Sequence, residues 1–284
     1  MNADKIYGSV QDRYTAAARG VDQGYSHSVA KSFGYTEEEL ANIPKAANLG
    51  LSCGNPTAIA SLREGETVID LGSGAGFDAF LAASKVGPTG TVYGVDMNKD
   101  MITRANKSRA ETHRDNVSFV ESKITNIPLQ SGIADCIISN CVINLVPAEE
   151  EQLAFNEMFR LLKPGGRLAI SDILLKQALP ESLQSCVALY TGCVAGASQV
   201  ADYEKYLQAA GFHEVLITDT NADLNVYLET DVDGTTKAAS GQGPSGHKNA
   251  EGNSEDGGCG SCGGGQLGDL NKWASSYKIF AVKA

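Results

Sequence analysis

Between residues 66 and 211 the chain alternates short apolar runs with stretches of helical periodicity, and this alternation restricts its fold more than any other feature. "ETVIDLG" (66–72), "GTVYGVD" (90–96), "VSFVES" (117–122), "DCIIS" (135–139) and "RLAISDI" (167–173) read as five strands. "FDAFLAASKVG" (77–87), "KDMITRANKSRAE" (99–111), "AEEEQLAFNEMFRLL" (148–162) and "QVADYEKYLQAAG" (199–211) read as helices. Gly87-Pro88, the "KPGG" turn and Gly211 end three of those helices. Apolar strands joined by helices bury both sheet faces. The expected fold class is α/β, with a mostly parallel, Rossmann-like sheet and helices on both faces. "HEVLITD" and the final "YKIFAVK" then pair as an antiparallel closing hairpin at one edge.

Outside this core the character changes. Residues 1–59 form an N-terminal segment in which Thr36 and Glu39 make a capping box, so a helix starts there. Residues 60–221 form the core, including a stretch, 174–198, after the fifth strand. Residues 222–271 are rich in Gly, Ser, Asn and Asp, too poor in apolar side chains to order themselves, and residues 272–284 return as the closing strand. With 42% hydrophobic residues in 284, the chain can bury a sizeable core. No run approaches the ~20 apolar residues of a membrane span, and the N-terminus lacks the apolar centre of a signal peptide. A net charge of −11 offers nucleic-acid phosphates no basic face. Seven cysteines without a framework of spacings point to free thiols in a reducing cytoplasm.

The first strand-to-helix turn, "VIDLGSGAG", carries Gly72, Gly74 and Gly76, which let the backbone turn tightly and approach a ligand. Asp96, with Met97 after it, closes the second strand where a carboxylate can accept bonds from ribose hydroxyls. A dinucleotide turn needs a third glycine where this chain has Phe77, so the pyrophosphate pattern fails. Asp70, inside the turn, suits a ligand bearing a cation. S-adenosylmethionine carries two.

These residues resemble the class I S-adenosylmethionine-dependent methyltransferases. Asp70, Gly72 and Gly74 match the family's D-x-G-x-G turn, Asp96 its acid after strand two, and "LLKPGGRLAISD" its turn before strand five. The resemblance covers residues 60 to 215 and implies S-adenosylmethionine as cofactor. It places the adenine beside Lys123 and Ile124.

Methyl transfer to oxygen or nitrogen usually needs a base, yet His27, His113, His213 and His247 stand in no suggestive place. The chain offers sulfur instead: Cys53 in "NLGLSCGNP", Cys141 in "SNCVINLVP" and Cys193 in "LYTGCVAGA". Methyltransferases often fold their N-terminal segment back as a lid and line the acceptor pocket with the segment after strand five, so these three can converge. Three thiolates select a soft centre. If that centre is trivalent arsenic, its lone pair is the nucleophile and no proton has to leave. A single cysteine is more often a small buried hydrophobe, and that is the reading for Cys136 and Cys186.

"SCGNP", "SNCVINL" and "GCVAGA" together closely resemble the arsenite methyltransferases, as does "GYTEEELANIPKAANLGLSCGNP". The resemblance implies that Cys53, Cys141 and Cys193 bind As(III), that Asn140 lies against the cofactor, and that glutathione or thioredoxin delivers and reduces arsenic. Two departures concern thiol re-reduction: no cysteine precedes Cys53, and Ala79 stands where relatives often have cysteine. Cys259 and Cys262, in "GGCGSCGGG", read as an arsenic-capturing pair or as residues without a role, with zinc the weakest option because four ligands are lacking. Two other functions stay open: a methyltransferase for a small organic acceptor, and a non-catalytic arsenic-binding protein.

Overall fold

The computed structural model describes residues 2–19, 23–179, 196–225 and 269–284. The strands are β1 (Thr67–Leu71), β2 (Thr91–Asp96), β3 (Val117–Glu121), β4 (Ala134–Asn140), β5 (Leu162–Leu175), β6 (Phe212–Asp219) and β7 (Ala274–Lys283). The helices are α1 (Ala3–Arg19), α2 (Gln23–Ser32), α3 (Glu37–Ala41), α4 (Phe77–Val86), α5 (Lys99–Thr112), α6 (Glu151–Leu161) and α7 (Val200–Ala210). All seven strands join one sheet in the order β3-β2-β1-β4-β5-β7-β6. The first five pair in parallel, and β7 runs antiparallel between β5 and β6. This is the sheet of the class I methyltransferases, with the hairpin at one edge.

Side-chain alternation divides the core between the two faces. Val68, Cys136, Ile138 and Ala169 meet Phe80, Ala83 and Val86 of α4. Ile69, Leu71 and Ile137, one position along, meet Phe155 and Met158 of α6 and Tyr203 and Leu207 of α7. A period of two makes this partition unavoidable once the register is set. Cys136 is fully buried, as its place in an apolar strand implies, and burial pushes its thiol up to about 12.

Helix ends follow local chemistry. Thr36 Oγ1 accepts from Glu39 N–H, and Glu39 Oε2 accepts from Thr36 N–H. Asn98 Oδ1 accepts from the N–H groups of Asp100 and Met101 to start α5. Two boundaries differ from the sequence reading, and two helices are additional to it. The helix expected from 148 begins at Glu151, because Pro147 to Glu150 closes a turn first. "KPGG" does not stand outside the fifth strand: β5 runs from Leu162, and the four residues are accommodated by a register shift against Ala134 and Cys136. Helices α1 and α2 had not been anticipated.

The two ends of the Gly/Ser-rich stretch are held by a repeated tripeptide. Asp223-Leu224-Asn225 and Asp269-Leu270-Asn271 face each other with near two-fold symmetry. The Leu224 N–H donates to Asn271 Oδ1 at 2.9 Å and the Leu270 N–H to Asn225 Oδ1 at 3.0 Å. In return Asn271 Nδ2 donates to Asp223 Oδ1 at 2.7 Å and Asn225 Nδ2 to Asp269 Oδ1 at 2.9 Å. Both leucines are buried in the cluster that contains Cys53 and Cys141.

Candidate active site

The carboxyl ends of β1, β2 and β4 open onto one cleft, as strand ends do at the switch point of an open α/β sheet. Asp70, Gly72, Gly74, Asp96, Met97, Lys123, Ile124, Asn140 and Cys141 all line it. Of the expected cofactor residues only Gly76 lies off its wall. There φ is +95°, and a Cβ would press on Phe80 and Phe119, so its role is to start α4. Gly72 makes the closest approach: at φ +65° it leaves no room for a Cβ against the side chain of Val142. The glycine turn and the loop that carries Cys141 are therefore in direct contact.

Three carboxylates face this space. Asp96 Oδ2 accepts from Gly74 N–H at 2.9 Å and Oδ1 from Asn98 N–H at 2.8 Å, so the acid also shapes the turn. Burial raises its pKa, opposed by those N–H groups and that of Met97. Asp70 is 1% exposed. Burial first, then the charges of Asp78 and Asp96, hold its carboxyl well above the usual carboxylate range, while the Ala79 N–H stabilises the charge. Its second oxygen, Oδ2, is buried with no hydrogen-bond partner among the described residues, and Ser73 Oγ shares that condition. A desolvated carboxylate oxygen and a hydroxyl without partners fit a ligand with a cationic, hydrogen-bonding head group. The donor set fits S-adenosylmethionine, and three acids make a phosphate unwelcome. Asp78 is the third acid; burial pushes it up to about 6, against bonds from Asn140 and Tyr35.

Helix α1 forms the outer wall through Tyr7, Val10, Gln11 and Tyr14. Asn98 Nδ2 ties it down by donating to the Gln11 carbonyl at 3.2 Å and to Thr15 Oγ1 at 2.9 Å. Lys123 Nζ sits 3.7 Å from the centroid of the Tyr7 ring, and the Tyr7 hydroxyl donates to Glu150 Oε2 at 2.6 Å. Sequence reasoning missed these residues, although the i, i+3, i+4, i+7 spacing of 7, 10, 11 and 14 is one helical face. It also missed Tyr35 and Asp78.

At the inner end of the cleft, Cys141 and Cys53 meet. They are joined by a disulfide with Cα atoms 5.7 Å apart, across 88 residues of sequence. This corrects the expectation of free thiols at both positions: the two sulfurs converge so closely that they bond to each other. Cys141 adopts φ +60°, a left-handed conformation that costs a β-carbon-bearing residue ~1–2 kcal/mol. Its N–H donates to the Ser171 carbonyl at 2.9 Å. Asn144 anchors the loop by donating to Asp172 Oδ1 at 2.8 Å and to the Ile173 carbonyl at 2.6 Å. The Tyr203 hydroxyl donates to Asp172 Oδ2 at 3.0 Å. Burial pushes Asp172 up to about 7. Cys193 and Cys186, like Cys259 and Cys262, lie outside the described residues.

Asn140, immediately before Cys141, has its side chain fully engaged. Oδ1 accepts from the Cys53 N–H at 3.2 Å. Nδ2 lies 2.9 Å from the Gly54 carbonyl oxygen, 2.9 Å from Asp78 Oδ2 and 3.0 Å from Tyr35 Oη. The Tyr35 hydroxyl donates to Asp78 Oδ1 at 2.7 Å.

Sheet order and cleft together define a class I methyltransferase fold. A family model described as "Methyltransferase domain" matches residues 62–211, more than half of the chain, and the chain belongs to this family, whose cofactor is S-adenosylmethionine. Among curated proteins, an arsenite methyltransferase of Halobacterium salinarum is 44% identical over 206 residues, which are 72% of this chain and 52% of that protein. An arsenite methyltransferase of Mus musculus is 31% identical over 226 residues, 74% of this chain and 59% of that protein. The chain thus spans little more than half the length of these relatives. The crystal structure of an arsenic(III) S-adenosylmethionine methyltransferase from Chlamydomonas reinhardtii superposes with a TM-score of 0.55 at 25% identity, covering 91% of this chain and 72% of that one. A geranyl diphosphate C-methyltransferase from Streptomyces coelicolor reaches a TM-score of 0.61 at 17% identity, which shows the shared fold alone. No helix among the described residues is long and apolar enough to cross a membrane.

Proposed function

We propose that the chain is an arsenite methyltransferase, in which Cys53 and Cys141, meeting at the inner end of the cofactor cleft, hold trivalent arsenic together with Cys193. The observation that carries this reading is the meeting of Cys53 and Cys141, from segments 88 residues apart, where β4 opens beside Asp70 and Gly72. The arsenite methyltransferases of Halobacterium and mouse, similar over most of this chain, support the same substrate.

S-adenosylmethionine supplies a methyl group made electrophilic by its cationic sulfur. Asp70 and Ser73 offer the cationic head group the buried acceptors that the protein leaves without partners. Asp96 would hold the ribose, Gly72 and Gly74 would admit the cofactor's close approach to the backbone, and Lys123 with Ile124 would border the adenine, all of them lining the cleft. α1 walls one side of the cleft through Tyr7, Val10, Gln11 and Tyr14.

The thiols hold and orient the acceptor. Arsenic bears its own lone pair and has no proton to lose, so the site contributes proximity and desolvation rather than a base. No histidine lines the cleft among the described residues. A disulfide cannot bind arsenic. Two glutathiones, or one dithiol of the thioredoxin type, must therefore first supply two electrons and two protons, becoming a disulfide while Cys53 and Cys141 become thiols.

Incubation with arsenite, S-adenosylmethionine and glutathione, followed by arsenic speciation, tests the proposal. Methylated arsenic should form, and Cys141→Ser should reduce it at least ~100-fold, as loss of a group essential to positioning does. Arsenite binding without product would leave a non-catalytic arsenic-binding protein. Methyl transfer to an organic acceptor, indifferent to Cys141→Ser, would make the cysteines filling.

A further inference from the structure

We infer that Tyr35 and Asp78 are positioning residues for the Cys53–Cys141 pair and act through the side-chain amide of Asn140; their importance for catalysis rests on reading that pair as the arsenic-holding thiols. Asn140 is the last residue of β4, so its main chain carries Cys141. Its side chain holds the other partner: Oδ1 accepts from the Cys53 N–H, and Nδ2 donates to the Gly54 carbonyl. A single amide therefore grips the backbone on either side of the Cys53 carbonyl, which itself accepts from Ser276 Oγ at 2.8 Å.

What fixes that amide lies behind it. Asp78 Oδ2 and Tyr35 Oη both stand within 3.0 Å of Nδ2, and the Tyr35 hydroxyl donates its own hydrogen to Asp78. A carboxylate accepts only, and a phenol that has already given its hydrogen accepts as well. Both therefore require the NH2 end of Asn140, as the Gly54 carbonyl does, and the three acceptors share its two hydrogens; Oδ1 is left to face Cys53. Were the amide reversed, its oxygen would meet the Asp78 carboxylate and its NH2 would meet the Cys53 N–H, a mismatch on both sides. Tyr35 comes from before α3 and Asp78 from the first turn of α4, so the N-terminal segment and the cofactor turn jointly set the spacing of the two sulfurs.

The test uses the full chain equilibrated in mixtures of reduced and oxidised glutathione. Two protein thiols form one disulfide, and one glutathione disulfide accepts the two electrons and two protons to give two glutathiones. Peptide mapping of the Cys53–Cys141 bond yields an equilibrium constant in molar units, which measures how closely the two sulfurs are held. Tyr35→Phe keeps the ring that packs edge-on against Phe77, with centroids 4.8 Å apart, and removes only the hydroxyl. It should lower the constant roughly tenfold, equivalent to about 1.4 kcal/mol. Asp78→Asn should do at least as much, and Asn140→Ala more.

The deciding result is the double variant. If Tyr35 acts through Asn140, then Tyr35→Phe in the Asn140→Ala background should cause no further loss, whereas two independent structural effects would add. S-adenosylhomocysteine affinity of Tyr35→Phe, measured by calorimetry, should stay within about twofold of the parent, since losses that travel together would mark a general disturbance. An unchanged constant in Tyr35→Phe, additive losses, or a parallel fall in cofactor affinity would overturn the inference. Should Asp78→Asn fail to fold, the tyrosine cycle decides alone. Arsenic speciation with the parent protein is scored separately: no methylated arsenic beside an intact cycle sinks the proposed function, and methylated arsenic beside a flat cycle sinks this inference.

Discussion

Asp70→Asn should move the stability of the free protein and its affinity for S-adenosylmethionine in opposite directions. In the free protein the Asp70 carboxylate is buried, Oδ2 has no partner, and Asp78 and Asp96 repel it. An unsatisfied buried oxygen costs ~1–3 kcal/mol, more when charged. Asparagine can keep its oxygen on the Ala79 N–H and turn the uncharged NH2 toward the cleft. The NH2 is as unpaired there as the oxygen was, so the gain comes from removing the buried charge and its repulsion by Asp78 and Asp96; the free variant should gain ~1 kcal/mol and melt roughly 2–4 °C higher. The same change removes a charged acceptor for the cofactor head group, worth ~1.5–3 kcal/mol, so affinity should fall ~10- to 150-fold. The pH dependence follows from the direction of the shift. The folded pKa of Asp70 lies above its unfolded value, so the wild type binds this proton more readily when folded and gains stability as pH falls through that window. The advantage of the variant should shrink in step. Thermal melts across pH 5–8 and titration calorimetry would measure both effects. A variant that melts lower without ligand and binds the cofactor as before would refute this account of the carboxylate.

Gly72→Ala should cost ~1–3 kcal/mol through overpacking against Val142 and should lower cofactor affinity and the Cys53–Cys141 disulfide constant together, because one Cβ displaces both the turn and the loop; loss of only one of these would uncouple them. Burial pushes Glu151 up to about 8 and Asp172 up to about 7, so the folded protein takes up protons that the unfolded chain does not. Stability should rise as pH falls from 8 toward 6, and Glu151→Gln should flatten part of that rise in thermal melts. Deleting residues 240 to 264 should change stability by only fractions of a kcal/mol, since the paired Asp-Leu-Asn segments hold the ends together without them. Asn225→Ala with Asn271→Ala should cost ~1–3 kcal/mol, and denaturant midpoints would show the reverse ranking if the clasp were idle.

The elements whose information is local could be read from the residues alone. The short apolar runs "TVIDL" and "ADCIIS", the Thr36–Glu39 capping box and the Asp70–Gly74 turn each fix their own backbone within a few bonds, so their composition or spacing suffices. The same holds for Asp96, whose place at the end of β2 puts it beside the glycine turn. Only the tertiary structure decided what lies across long loops. It brought Cys53 to Cys141, turned the Asn140 amide toward Cys53 by way of Tyr35 and Asp78, and locked Asp223-Leu224-Asn225 against Asp269-Leu270-Asn271. None of these pairings has a period to announce it. Each forms because the sheet, once closed, places groups from distant segments within hydrogen-bonding or bonding reach, and a buried donor or acceptor must then take whichever partner the packing presents.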